Sequence, residues 1–151
     1  NMVNLKPVRF KSLGAAQVGT VGEYFGASRL GGFGDEGFIG AGYGFDILVS
    51  DVKTGDMTRV NVKTKVADKG SRSFSVQKGK TTTFRPYDGS HCDLFALLCL
   101  EDQSLCFTPV DEHIGKSSIY INRKEHRAVD PYTSWMEALS KVFPERILPK
   151  T

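Results

Sequence analysis

Three residues of this chain, Asp46, Asn61 and Lys63, bring a carboxylate, an amide oxygen and an ammonium into one short stretch. Oxygen donors of this kind suit a hard divalent cation, and a lysine beside such a cation is an arrangement used to cut phosphodiesters. Asn61 and Lys63 are two residues apart, so in a strand they share a face. Glu23 is the one carboxylate between Gln17 and Leu30. It either faces the sheet next to Asp46 or is an ordinary surface charge. Solvation alone also produces polar strand faces, with Asp and Lys as their usual occupants.

The elements that must position these groups read clearly. Phe45 to Ser50 is apolar and β-prone, Lys53-Thr-Gly-Asp56 has turn chemistry, and Met57 to Lys65 alternates. In that alternation Val60 and Val62 face one side of a sheet, and Arg59, Asn61 and Lys63 face the other. Upstream, Gln17 to Leu30 reads as a helix with Val18, Val21, Phe25 and Leu30 at near-helical spacing. It contains Gly19, Gly22 and Gly26, each costing about 1 kcal/mol relative to alanine, so a packing reason for them is expected. Gly31 to Gly44 holds seven glycines and reads as an irregular loop suited to substrate approach. Its Gly40-Ala-Gly-Tyr-Gly44 is no dinucleotide fingerprint, because the glycines precede a strand instead of leading from one into a helix.

Beyond the hairpin, Arg72 to Gln77 predicts a short alternating strand, and Lys78 to His91, without apolar periodicity, an exposed loop. Asp93 to Leu100 is a continuous apolar run, hence a strand buried on both faces. Glu101-Asp-Gln103 turns it into a strand from Ser104 to Pro109, and Ser118 to Asn122 is a further one. Asp130 caps a helix with Pro131 in its first turn, Trp135, Leu139, Val142 and Phe143 form its apolar face, and Pro144 ends it. There is no internal repeat and no linker, so the 151 residues read as a single domain, long enough to bury a core without staples.

Composition, at 40% hydrophobic and 25% charged, is that of an ordinary globular protein. No apolar run approaches a membrane span and the N-terminal stretch lacks a signal core. Cys92, Cys99 and Cys106 are odd in number and lack zinc-site spacing, so they read as reduced core thiols of an intracellular protein. His91, His113 and His126 have no metal-binding spacing and read as surface or hydrogen-bonding residues. The net charge of +3 is unremarkable; its distribution is not. Between Lys63 and Pro86 seven basic residues (Lys63, Lys65, Lys69, Arg72, Lys78, Lys80 and Arg85) face Asp68 alone. Such a bias suits a phosphate backbone, although solvated loops also carry lysines. Arg72 and Arg85 are the candidate base readers, since a guanidinium can engage guanine bidentately.

The order helix, strand, strand, with Glu23, Asp46 and Asn61-Val62-Lys63, resembles the PD-(D/E)XK nuclease superfamily over residues 17–65. The stretch from Cys92-Asp-Leu-Phe-Ala-Leu to Phe107-Thr-Pro-Val-Asp111 is similar to the group I intron homing endonucleases of that superfamily. Gly19-x-x-Gly-Glu23 resembles the opening of archaeal Holliday junction resolvases. The sequence departs from the pattern at Phe45, where a proline is usual, at Asn61, where an acid or glutamine is usual, and in lacking a helix between Lys78 and His91.

The resemblance implies an α/β, restriction-endonuclease-like core, a mixed β-sheet flanked by helices. It implies Mg²⁺, or Mn²⁺ in its place, held by Asp46, Glu23, the Asn61 amide oxygen and the Val62 carbonyl. Lys63 would act on the attacking water and the scissile phosphate. It further implies double-stranded DNA as partner, bound through Lys65, Lys69, Arg72, Lys78, Lys80 and Arg85, and a homodimer or homotetramer. Three functions fit: a site-specific endonuclease of the homing or restriction kind, a junction resolvase, and an inactive nucleic-acid-binding module.

Overall fold

A computed structural model describes residues 12–40, 44–67, 70–78, 85–86 and 91–146. The first element is α1 (Ala15–Gly32), whose N-terminal Gly14 N–H donates to Gln17 Oε1 at 3.0 Å. The chain then forms β1 (Asp35–Ile39), β2 (Ile47–Asp51) and β3 (Met57–Lys65). Both β1–β2 and β2–β3 pair antiparallel, with Ile47 opposite Val60. After a long excursion, β7 (Leu94–Cys99) returns parallel to β3, and β8 (Ser104–Pro109) closes the sheet antiparallel to β7. The strand order is β1-β2-β3-β7-β8, a five-stranded mixed sheet.

The excursion between β3 and β7 carries strands where parallel crossovers usually carry a helix. It contains β4 (Ser71–Ser75), β5 (Gln77–Lys78) and β6 (Arg85–Pro86), the last two paired with each other. β4 does not join the main sheet. It pairs antiparallel with β9 (Ser118–Asn122) as a separate two-stranded ribbon. A 3-10 turn at Val110–His113 leads toward β9, which is followed by α2 (Arg123–Ala128) and α3 (Pro131–Val142). Asn122 caps α2, accepting from the Lys124 and Glu125 N–H groups, and Asp130 caps α3 through Thr133 N–H at 2.9 Å.

Two apolar layers cover the sheet. On one face Val60, Val62, Leu94, Ala96 and Leu98 pack with Leu30 of α1 and with Trp135, Ala138 and Leu139 of α3. On the other, Phe95, Leu97 and Cys106 pack with Phe74 and Ile119 of the ribbon. β7 is buried along its whole length, as its unbroken apolar run predicts. All three cysteines are buried free thiols. Among the described residues no helix is long and apolar enough to cross a membrane.

The expected irregular loop over 31–44 is corrected in its centre, where Asp35–Ile39 forms an edge strand. Gly37 explains the disguise. A Cβ there would lie 3.2 Å from Ile47 Cγ2 and 3.6 Å from Ala27, so glycine lets α1 and β1 approach. α2 was not foreseen, and neither was the pairing of β5 with β6 inside the expected loop 78–91.

Candidate active site

The β2–β3 hairpin sets the geometry. Asp51 Oδ1 accepts from the Lys53 and Thr54 N–H groups, an Asx turn that fixes the register of the strands. Asp46 stands just before β2, with its backbone still bonded on both sides, to Gly40 and to Val60. Its N–H donates to Val60 O at 2.8 Å, and its Oδ2 accepts from Val62 N–H at 2.7 Å. The carboxylate thus continues the ladder with its side chain, which holds it at the sheet edge.

Glu23 reaches the same edge from α1. The helix docks through backbone: Gly22 lies against Thr64, and Gly26 against Ile47 and Val62. At that close approach the Glu23 carboxyl comes within hydrogen-bonding reach of Asp46. Burial raises the Glu23 carboxyl, and the charge and hydrogen bond of Asp46 push it further, to about 7. Two carboxyl groups so close hold a proton between them or call for a cation.

From β3, Asn61 and Lys63 share the sheet face that the ribbon covers, opposite Phe95 and Leu97 of β7. Asn61 is buried and Lys63 half-buried. Burial lowers the Lys63 ammonium, and the charge of the nearby Asp46 partly offsets this. Cys92 is a neutral neighbour: burial pushes its thiol up to about 12, and its Sγ donates to Leu94 O at 3.1 Å. Val62 lies between them in sequence with its side chain toward α1, so its contribution to this edge is backbone. Sheet edge, helix and β3 thereby bring Glu23 and Asp46 into contact, with Lys63 within electrostatic reach of Asp46. Among the described residues no group of three or more His, Cys, Asp or Glu side chains is placed to hold a metal ion.

One interaction beside the site is absent from the sequence reading. Asp93 accepts from the Arg59 backbone N–H at 2.7 Å, from Nε at 3.2 Å and from Nη2 at 2.9 Å, and its own N–H donates to Arg59 O. This double grip ties β7 to β3 two residues before Asn61. The partners are 34 residues apart and meet only through the parallel pairing, so no local signal announces them.

The proposed DNA-contacting residues divide. Lys69 and Lys80 lie outside the described residues, as do the side chains of Lys78 and Arg85, whose backbones pair across β5 and β6. Lys65 is half-buried at the end of β3, on the same face as Lys63. Arg72 is corrected: it is 1% exposed and cannot present its guanidinium to a ligand. It forms an ion pair with Asp102 in the β7–β8 turn and donates from Nη1 to His126 Nδ1 at 2.7 Å. Because arginine can only donate, His126 Nδ1 is the acceptor, and its Nε2–H donates to Leu97 O at 2.8 Å. His126 is therefore a buried hydrogen-bonding residue. The signal was available, since Arg72 shares strand parity with the buried Phe74.

A separate cavity of about 50 Å³ lies between the β1–β3 edge and α3, with Asp35, Asp51, Trp135 and Arg146 in its wall. None of Glu23, Asp46, Asn61 and Lys63 lines it. Arg146 already donates to Thr58 Oγ1 at 2.7 Å and stacks on Phe143, which marks a structural contact.

No family model matches the chain, and no curated protein matches it. Among solved structures the chain is similar to a bacterial homing endonuclease, I-Ssp6803I, with a TM-score of 0.70 and 20% identity. The match covers 88% of this chain and 98% of that one. At this identity the likeness is one of fold. The mixed five-stranded sheet flanked by helices, with Asp46 at its edge and Glu23 beside it, is thus built on the fold of a homing endonuclease.

Proposed function

We propose that this chain is a metal-dependent DNA endonuclease that hydrolyses phosphodiester bonds at specific sites, of the homing or restriction kind. The observation that carries this reading is the contact of Glu23 with Asp46, beside Lys63, on a fold shared with a homing endonuclease. A glutamate raised to about 7 by burial and by an adjacent aspartate belongs to a pair that a divalent cation would relieve. Hard oxygen donors fit Mg²⁺, with Mn²⁺ as substitute. Asp46 and Glu23 would hold the ion, with the Asn61 amide oxygen and the Val62 carbonyl as neutral ligands. A bound divalent ion supplies charge at the scissile phosphate and an acidified water.

The remaining work falls to the protein. Lys63 orients the attacking water and offers a compact positive charge to the phosphate, which gains negative charge in the transition state. Asn61 brings an oxygen without charge, so the site has one negative charge fewer than an acidic triplet. Lys65, Lys69, Lys78, Lys80 and Arg85 hold the duplex backbone. A single such site cuts one strand, so double-strand cutting calls for a homodimer or homotetramer. The expected setting is intracellular, beside DNA.

The test is cleavage of a duplex library with and without Mg²⁺ or Mn²⁺, by the parent protein and by Lys63→Ala. Metal-dependent products are expected from the parent, reduced on the order of a hundredfold or more in Lys63→Ala with folding and DNA affinity nearly intact. Near-normal cutting by a folded Lys63→Ala protein would remove Lys63 from the site. A preference for four-way junctions would redefine the protein as a resolvase. Tight binding without cutting in either metal would make it a binding module.

A further inference from the structure

The ribbon of β4 and β9 has two faces of opposite character. Inward, Arg72 is 1%, Phe74 2% and Ile119 8% exposed. Arg72 locks this side down through Asp102 and His126, and Asp102 also accepts from Arg127 Nε at 2.7 Å and Ser104 Oγ at 2.6 Å. Outward, Ser71, Ser73 and Ser75 alternate along β4, with Ser118 and Tyr120 beside them on β9. Ser73 is directly opposite Tyr120, and Ser75 opposite Ser118. This row carries no charge, and Tyr120 is 74% exposed. A solvated ribbon face is normally defended by lysine or glutamate. Short hydroxyls around one projecting tyrosine are a different choice.

Position and charge narrow the partner. The ribbon packs on the sheet face that bears Asn61 and Lys63. Basic positions bracket it at both ends. Lys116 precedes β9, and Lys78 and Arg85 pair in register just past β4. At the other end α2 opens with Arg123 and Lys124, followed by Glu125. A two-stranded ribbon with strands about 4.8 Å apart fits a major groove about 12 Å wide, provided its outward side chains are small. Alternate residues on a strand lie about 6.8 Å apart, close to two steps of about 3.4 Å along a DNA strand. Each hydroxyl both donates and accepts, so it can meet a purine N7 or O6 as well as an amino group.

We propose that this ribbon enters the major groove of duplex DNA and reads base pairs through Ser71, Ser73, Ser75, Ser118 and Tyr120. The inference rests on the DNA-cutting function proposed above and adds its sequence-reading surface. Arg72 is then a positioning residue, holding the reader rigidly on the sheet from within. The face spans Ser71 to Ser75, about 14 Å, which corresponds to about four base-pair steps.

The experiment compares base preferences of cleavage products from a randomised duplex library for the parent, Ser73→Ala, Tyr120→Phe and Tyr120→Ala. Preference should relax about tenfold to a hundredfold within one block of about four adjacent base pairs. The slope of binding against salt should stay as in the parent, since no phosphate contact is lost. Melting temperatures should stay close to the parent's, because these side chains are not in the core. A parent that neither binds nor cuts any duplex overturns the DNA function itself and this inference with it. A parent that cuts, with variant preferences superimposable on its own, overturns the reading surface alone. If those variants also sediment as a smaller species, the face belongs to a second copy of the chain.

Discussion

Replacing Gly22 by alanine should separate the two carboxylates while leaving the protein folded. A Cβ at Gly22 would lie 1.8 Å from Thr64 Oγ1, 2.8 Å from Thr64 Cβ and 2.9 Å from Thr64 Cγ2. Ordinary contacts between such atoms are about 3.5–4.0 Å. Rotating Thr64 exchanges Oγ1 for another group but leaves its Cβ where it is, so α1 or β3 itself must shift, by about 1 Å. Overpacking of this kind costs about 1–3 kcal/mol, and alanine returns about 1 kcal/mol of helix propensity. The net loss of about 0–2 kcal/mol is within what a domain of this size tolerates, a few degrees of melting temperature per kcal/mol.

Glu23 is the next residue and moves with the helix. A displacement of about 1 Å at a catalytic group costs on the order of a hundredfold in rate. Cleavage assays and thermal denaturation measure the two effects. A third readout does not depend on function: away from Asp46, the Glu23 carboxyl should titrate below its value of about 7, toward the ordinary 4.5, in side-chain NMR. Thr64→Ala in the same chain removes two of the three close atoms and should restore part of both. Gly19→Ala meets nothing within 4 Å and is the control. A Gly22→Ala protein that keeps both the parent's cutting rate and the parent's Glu23 titration would refute the claim that this glycine seats the glutamate.

Asn61→Asp should tighten Mg²⁺ binding by the DNA-free protein, measured by calorimetry, since it adds the charge that the amide lacks. Equal affinity in parent and variant would take this position out of the proposed metal shell. Burial raises the Asp102 carboxyl, but hydrogen bonds from Arg72, Ser104 and Arg127 outweigh it and hold the group well below the usual carboxylate range. Its stabilising contribution is therefore complete above the ordinary value of 3.8 and is lost as pH falls below it. Asp102→Asn should cost about 3–5 kcal/mol near neutral pH by stranding the buried Arg72, and should flatten the acid limb of a denaturant-stability curve. Neutralising any phosphate-contacting member of Lys65, Lys69, Lys78, Lys80 and Arg85 should lower the slope of log K against log salt by about one unit. An unchanged slope with all five neutralised would move the DNA to another face.

What the sequence determined by itself is local. The Lys53-Thr-Gly-Asp56 turn, the alternation of β3, the apolar run of β7 and the Asp130-Pro131 helix start all formed where they were read, because neighbours in the chain supply their causes. Strand parity even indicated which face of β3 carries Asn61 and Lys63. Only the tertiary structure decided the rest. β1 was hidden because Gly37 is selected by its distance to Ile47 and Ala27, not by β propensity. Arg72 reads as a DNA-contacting residue in the sequence because the partners that bury it, Asp102 and His126, are 30 and 54 residues away. Arg59 and Asp93 meet only through parallel pairing. Whether Glu23 faced Asp46 or water depended on how closely a helix could dock, and that was set by a glycine against a threonine on another element. Local composition encodes what each segment prefers, whereas long-range contact decides which charges must be shared, and the candidate site consists of the second kind.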